Sequence, residues 1–180
     1  MSVQRPSCRF LRPVRLTLSG LILALGSASV HADALSELRA RVLRGDLSGA
    51  LETAQKAAAA DPRDAQARFA VGVVLMDLQR NAEALAQFTR LSQEFPELPD
   101  PYNNIALLHV RGNDLGSARV ALETALRNDP SHRVARTNLG EVYLLLAQQT
   151  WEQLAAQAPL EAALQRRLQG VRSLLATTQR

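Results

Sequence analysis

Catalysis needs a nucleophile, an acid–base pair or a set of metal ligands, and this chain supplies few. Its one cysteine, Cys8, lies upstream of an apolar run near the N-terminus. His109 and His132 are separated by more than twenty residues, and no H-E-x-x-H or similar paired spacing places two ligands on one helix face. No G-x-S-x-G sharp turn presents a serine. Glu94 and Glu97 sit close together, but at a helix end where solvent-facing carboxylates are the simplest reading. His109 is expected to pack in a core, and His132 to lie solvated at a junction between units. The pattern therefore argues for a protein that is not an enzyme and holds no metal or cofactor.

The elements that would carry a function are set by prolines. Pro62, Pro96 and Pro130 recur at an interval of 34 residues. Each closes a unit, because the residue before proline is biased away from helical geometry. Within each unit, apolar residues recur at three- and four-residue spacings, as in Val71, Val74, Leu75 and Leu78, or Leu85, Phe88 and Leu91. Two helices per unit follow. Gly72, Ala106 and Gly140 on first helices, and Ala50, Ala84 and Ala118 on second helices, are small enough to let helix axes approach to about 8–10 Å. Gly45 suits a left-handed helix end, and Asp46, Asn81 and Asp114 are placed to cap the helix that follows. One such unit cannot bury its own apolar face, so units must stack.

Small residues and prolines repeating in one register, with Leu139-Gly140-x-x-Tyr143 opening a further unit, resemble the tetratricopeptide repeat (TPR) family. The match covers about 33–146. It implies an all-α fold, a right-handed α-solenoid of antiparallel helix pairs. The repeats run over about 33–64, 65–98 and 99–132, with a partial one over 133–158. No helix breaker follows Tyr143, and Glu152 stands where a small residue should recur, so 133 to about 158 reads as one helix ended by Pro159. A last helix over 160–176 carries Leu164, Leu168, Val171 and Leu175 on one face. It reads as the polar-backed cap that a solenoid end needs. The same stripe could instead pair with its twin in a homodimer.

In this family the first helices line a concave groove that receives extended or helical peptides. Carried onto this chain, the resemblance places Phe69, Val73, Met76 and Asp77 in the groove from the second unit. It adds Asn103, Asn104, Leu107 and Arg111 from the third, and Asn138, Glu141 and Leu145 from the fourth. The mixture offers an apolar floor and amides able to bond a peptide backbone. The function implied is a protein–protein adaptor or scaffold; the alternative is a structural or self-associating module working through the last helix.

Residues 1–32 read as a secretory signal. Arg5, Arg9, Arg12 and Arg15 precede an apolar stretch, Leu16 to Val30, that ends in Val30-His31-Ala32. Cleavage is expected after Ala32, leaving a TPR domain over 33–180 in the periplasm or outside the cell, with a partner from the bacterial cell envelope. Taking those four Arg from the chain's 21 Lys+Arg leaves 17 basic residues against its 17 Asp+Glu. A neutral mature chain lacks the basic patch that nucleic acid asks for and the polybasic segment that a membrane surface asks for, and no membrane insertion is expected after cleavage. Cys8 would leave with the signal, so no disulfide is expected.

Overall fold

Three residues one repeat apart take the left-handed backbone conformation: Gly45 at φ 77°, Gln79 at φ 60° and Asn113 at φ 61°. Each follows the end of a first helix. The next N–H in each case reaches back five residues: Asp46 to the Arg41 carbonyl, Arg80 to Leu75 and Asp114 to His109, all at 2.9 Å. This is the closure that satisfies the last carbonyls of a helix and turns the chain back on itself. Glycine fills the position once; Gln79 and Asn113 adopt it against a cost of about 1–2 kcal/mol per non-glycine residue. One period further on, Ala147 lies inside a continuous helix, and no turn forms.

The structure is a computed structural model that describes residues 28–177, with side chains from 34 to 176. Eight helices appear among the described residues, with no strand. They are α1 (Ala28–Leu43), α2 (Leu47–Ala60), α3 (Ala65–Asp77), α4 (Asn81–Glu94), α5 (Pro99–Arg111), α6 (Leu115–Asn128), α7 (Arg133–Gln157) and α8 (Ala162–Thr177). The predicted signal falls mostly on 1–27, outside the described residues, and 28–32 form the start of α1. Residues 178–180 also lie outside the described ones. The described chain divides into two compact units between Pro101 and Tyr102, in the first turn of α5.

In the unit 28–101, α2 packs on α1 and α3, and α3 on α4. Ala50, Ala84 and Phe88 are wholly buried on second helices. Gly72 is required by close approach: a Cβ there would stand 2.6 Å from the Phe88 ring. Asp46 caps α2 by accepting from the Gly49 N–H at 2.9 Å. Asp64, which the pattern did not single out, caps α3 by accepting from both Gln66 and Ala67. Asn81 does not cap α4. The helix starts one residue earlier than a cap at Asn81 requires, and Arg80 holds the cap position with no side-chain cap bond. Arg80 instead clamps Glu83 through two hydrogen bonds of 2.7 and 2.6 Å.

In the unit 102–177, α6 packs on α7 and α7 on α8. Ala106, Ala118, Leu122 and Ala125 are wholly buried. Asp114 caps α6 through the Ser117 N–H at 3.0 Å. His132 is not simply solvated: its Nδ1 accepts from the Ala135 N–H at 3.0 Å and caps α7. His109 is half-buried rather than a core residue, with Nδ1 3.6 Å from an Asp114 carboxylate oxygen. Gly140 is exposed, and a Cβ there would meet nothing within 4 Å. The close approach expected of it needs a second helix folding back on the first, and α7 runs on without turning. The last helix begins at Ala162, two residues past the expected start. Its Leu168 and Leu175 are buried, and Arg172 donates twice to one Glu152 oxygen on α7, at 3.0 and 2.8 Å. Burial works against ionisation of Glu152, but hydrogen bonds from Gln148 and Arg172 outweigh it and hold the carboxyl below its usual range.

Candidate functional site

The positions that the resemblance assigns to a binding face divide between the two units. Phe69, Val73, Met76 and Asp77 lie on α3 in the first, and the rest lie on α5 and α7 in the second.

On α3, Phe69 belongs to the hairpin core rather than to a groove. Its ring centroid stands 5.4 Å from that of Phe88, tilted by 54°. Val73 and Met76 are also buried, and only Asp77 of the four is exposed. Eight consecutive residues, Phe69 to Met76, are buried. At 100° per residue they sample the whole circumference of the helix.

On α5 and α7, the three amides are turned into the protein. Asn103, Asn104 and Asn138 are each 0% exposed. Asn138 Nδ2 donates to Asn103 Oδ1 at 2.9 Å, and Asn103 Nδ2 donates to Asn104 Oδ1 at 3.3 Å. The sequence reading offered these amides to a peptide backbone; in the structure they are joined to one another. A buried amide group that lacked its hydrogen bond would cost about 1–3 kcal/mol, and the two bonds offset part of that cost for these three side chains. Leu107 and Leu145 are buried as well. Arg111 and Glu141 are half-buried, and the Glu141 Oε2 atom is enclosed with no hydrogen-bond partner among the described residues. Of the candidate positions, the charged side chains without an enclosed charged atom are Asp77, which is exposed, and Arg111, which is half-buried.

The most developed polar cluster was missed by sequence reasoning. Arg68 on α3 donates to both oxygens of Glu94 on α4, at 2.5 and 2.6 Å, and its guanidinium lies 5.8 Å from the Phe95 ring centre. Hydrogen bonds from Arg68 hold the Glu94 carboxyl below the usual range against the opposing effect of burial, and the positive charges of Arg68 and Arg90 add to the lowering. Glu94 is thus paired rather than merely solvent-facing. Nothing in the local pattern links residues 26 positions apart; the signal was the Arg at the start of one helix and the Glu at the end of its hairpin partner. Among the described residues no group of three or more His, Cys, Asp or Glu is placed to hold a metal, and no helix is long and apolar enough to cross a membrane.

The sequence profile of the tetratricopeptide repeat family matches residues 31–99 and 103–146. The chain belongs to that family. The TPR chain is also similar to solved structures. The first TPR domain of Spaghetti (RPAP3), bound to an HSP90 peptide, superposes with a TM-score of 0.59 at 16% identity, over 65% of this chain and 93% of that one. MamA from Desulfovibrio magneticus gives 0.56 at 17% identity, over 79% and 76%. A tetratricopeptide repeat protein from Parabacteroides merdae gives 0.57 at 18% identity, over 83% of this chain but 60% of that one. Identities this low speak for the fold alone, an α-solenoid of TPR type. No curated protein sequence matches the TPR chain.

Proposed function

We propose that this TPR protein is an exported adaptor that holds a peptide or protein segment of the cell envelope on the faces of its first helices, and that it performs no catalysis itself. The observation that carries the reading is the repeat register held through three successive helix pairs. Left-handed turn residues, small packing residues and unit-closing prolines all recur at one period, which is the build of a binding scaffold. A similar TPR domain has been seen with a peptide bound, which supports a peptide or protein as the class of partner. The apolar segment with its Arg-rich start supports export. The stripe of α8 is turned onto α7 through Leu168 and Leu175, which favours a cap over a dimer helix.

The test must spare the core. Leu107→Glu would place a carboxylate at a site that is 2% exposed, and would report on folding rather than on binding. Reversing the charges at Asp77 and Arg111 avoids this. Wild-type and Asp77→Arg/Arg111→Glu chains are tagged, expressed in the native cell and crosslinked. Loss of a specific partner from a double variant with unchanged circular dichroism and melting supports the adaptor reading. Retention of every partner sends the function elsewhere on the surface.

A further inference from the structure

We propose that α7 pairs with α7 of a second copy of this chain, antiparallel and crossing at Ala147, along the face left open where a fourth hairpin does not form. That face lies on the other side of α7 from the buried Asn138 and Leu145, so the pairing does not depend on the candidate binding positions.

Gly140, Tyr143, Ala147, Trp151 and Leu154 follow one another at three- and four-residue steps. At 100° per residue they share an arc of about 80°, which runs about 21 Å along the helix. Tyr143 is 48% and Leu154 44% exposed, and Ala147 and Trp151 are half-buried. Beyond Gly140 there is open space among the described residues. The equivalent glycine of the α3–α4 hairpin, Gly72, lies against Phe88. Two periods after Phe88 stands Ala156, on the same continuous helix as Gly140, so no second helix returns to cover the glycine. Helix α8 takes another side of α7: its Arg172 reaches Glu152, and its Leu168 shares a cleft with Ala155. The two acids of α7, Glu141 and Glu152, point towards that side, and the open arc carries no charge from Gly140 to Leu154.

The open arc is complementary to itself. Gly140 and Leu154 each stand seven residues from Ala147, and Tyr143 and Trp151 each stand four. An antiparallel pair crossing at Ala147 therefore seats the partner's Leu154 over Gly140 and sets the partner's Trp151 beside Tyr143. Each contact is made twice, as a two-fold interface requires. The bare glycine receives a large side chain, as Gly72 receives Phe88, and alanine at the crossing lets the axes approach to about 8 Å. A parallel pair would waste this match, setting glycine on glycine and leucine on leucine. Charge fits the same direction. Arg136, one turn before Gly140, comes beside the C-terminal end of the partner's α7, where a cation is favoured and where that helix has no basic residue of its own in the last turn. A face about 21 Å long on a helix about 10–12 Å broad is small beside the roughly 800 Å² that each partner gives to a standard interface. The dilute chain is therefore monomeric, and the pair forms as concentration rises.

The experiment uses the full chain with Cys8→Ala, which leaves no other cysteine. It is made in its native cell and purified. Ala147→Cys, Leu154→Cys and Ala156→Cys are each introduced singly, and Gly140→Cys/Leu154→Cys as a pair. The chains are oxidised over a dilution series, and disulfide-linked dimer is read on non-reducing gels. In the proposed pair the two copies of position 147 meet, whereas the two copies of position 154 lie about 21 Å apart along the axis, far beyond the roughly 4 Å that a disulfide spans between Cβ atoms. Ala156, exposed on a different side of α7, reports random collision. Linkage at Ala147→Cys and in the double variant that exceeds the other two by about tenfold, and falls on dilution, supports the proposal. Adding Ala147→Asp to the double variant should then abolish its linkage with circular dichroism unchanged, because two carboxylates would meet at the crossing. Any other ranking overturns it. Leu154→Cys linking as well as Ala147→Cys means a parallel pair or none in particular, and no linkage above that of Ala156→Cys means that the face stays bare.

Discussion

The α3–α4 hairpin and the long helix α7 share a repeat register but not a structure. Gly72 on α3 and Gly140 on α7 stand two periods apart in equivalent positions. A methyl group on the first would strike the Phe88 ring, and one on the second would meet open space. Leu75 and Tyr143 are equivalent too; the former is 5% exposed and the latter 48%, its hydroxyl donating to Glu123 at 3.2 Å. The residues of the motif survive on α7 after the partner they serve has gone. A repeat signature reports where the chain is in the period, and the packing it implies exists only where the hairpin closes.

The sharpest way to break the comparison is at the hairpin's central ring. Phe88 is the largest fully buried side chain among the described residues. Phe88→Ala is expected to lower stability by about 3–5 kcal/mol, since it removes the ring and leaves a cavity between α3 and α4. Ala156, two periods further on, is exposed on α7, and Ala156→Ser is expected to change stability by less than about 0.5 kcal/mol. Urea midpoints of the two variants check this. Equal midpoints would mean that the α3–α4 core does not limit unfolding.

The same alanine, placed at the two glycines, should act with opposite signs. Gly72→Ala gains helix propensity but drives its Cβ into Phe88, with a net loss of about 1–3 kcal/mol expected from overpacking. Gly140→Ala meets no neighbour and should gain about 0.5–1 kcal/mol, the usual advantage of Ala over Gly inside a helix. Thermal melts of the pair decide it. A destabilised Gly140→Ala would show that something packs on that face of α7 in solution.

These contrasts mark how far the sequence could be read. Helix pairs, the proline closures and the Asp46 and Asp114 caps were legible because each depends on residues a few positions apart. The change at α7 was half legible: the lack of a breaker after Tyr143 announced one helix, yet Gly140 still looked like a packing residue. The candidate face was the least legible part. Periodicity placed Val73, Asn104 and Asn138 on first helices, but which side of a helix is covered depends on elements far away in sequence. That is why the amides, read as offered to a ligand, proved to bond one another. The His132 cap escaped because an imidazole seldom takes a position that Asp or Ser usually fills.

The smallest expected effect concerns the ion pair that ties the α3–α4 hairpin at its open end. Glu94 accepts both hydrogen bonds from Arg68, and its folded-state pKa lies below the unfolded value of about 4.3. A carboxyl with a depressed folded pKa contributes stability that is fully present above the unfolded value and is lost as pH falls through the folded one. The Glu94→Gln variant keeps the shape, leaves Arg68 over Phe95 and removes the titration. Its melting temperature should fall slightly below wild type at pH 7, and the gap should close as pH drops towards 3. Because Glu94 is exposed, the contribution is screened and should shrink further in high salt. A gap that stays constant from pH 7 to pH 3 would mean that the carboxylate does not stabilise the hairpin through its charge, and that the pair serves only to orient Arg68. No matching titration is expected two periods further on, where Arg136 stands in the place of Arg68 but Ala162 in that of Glu94.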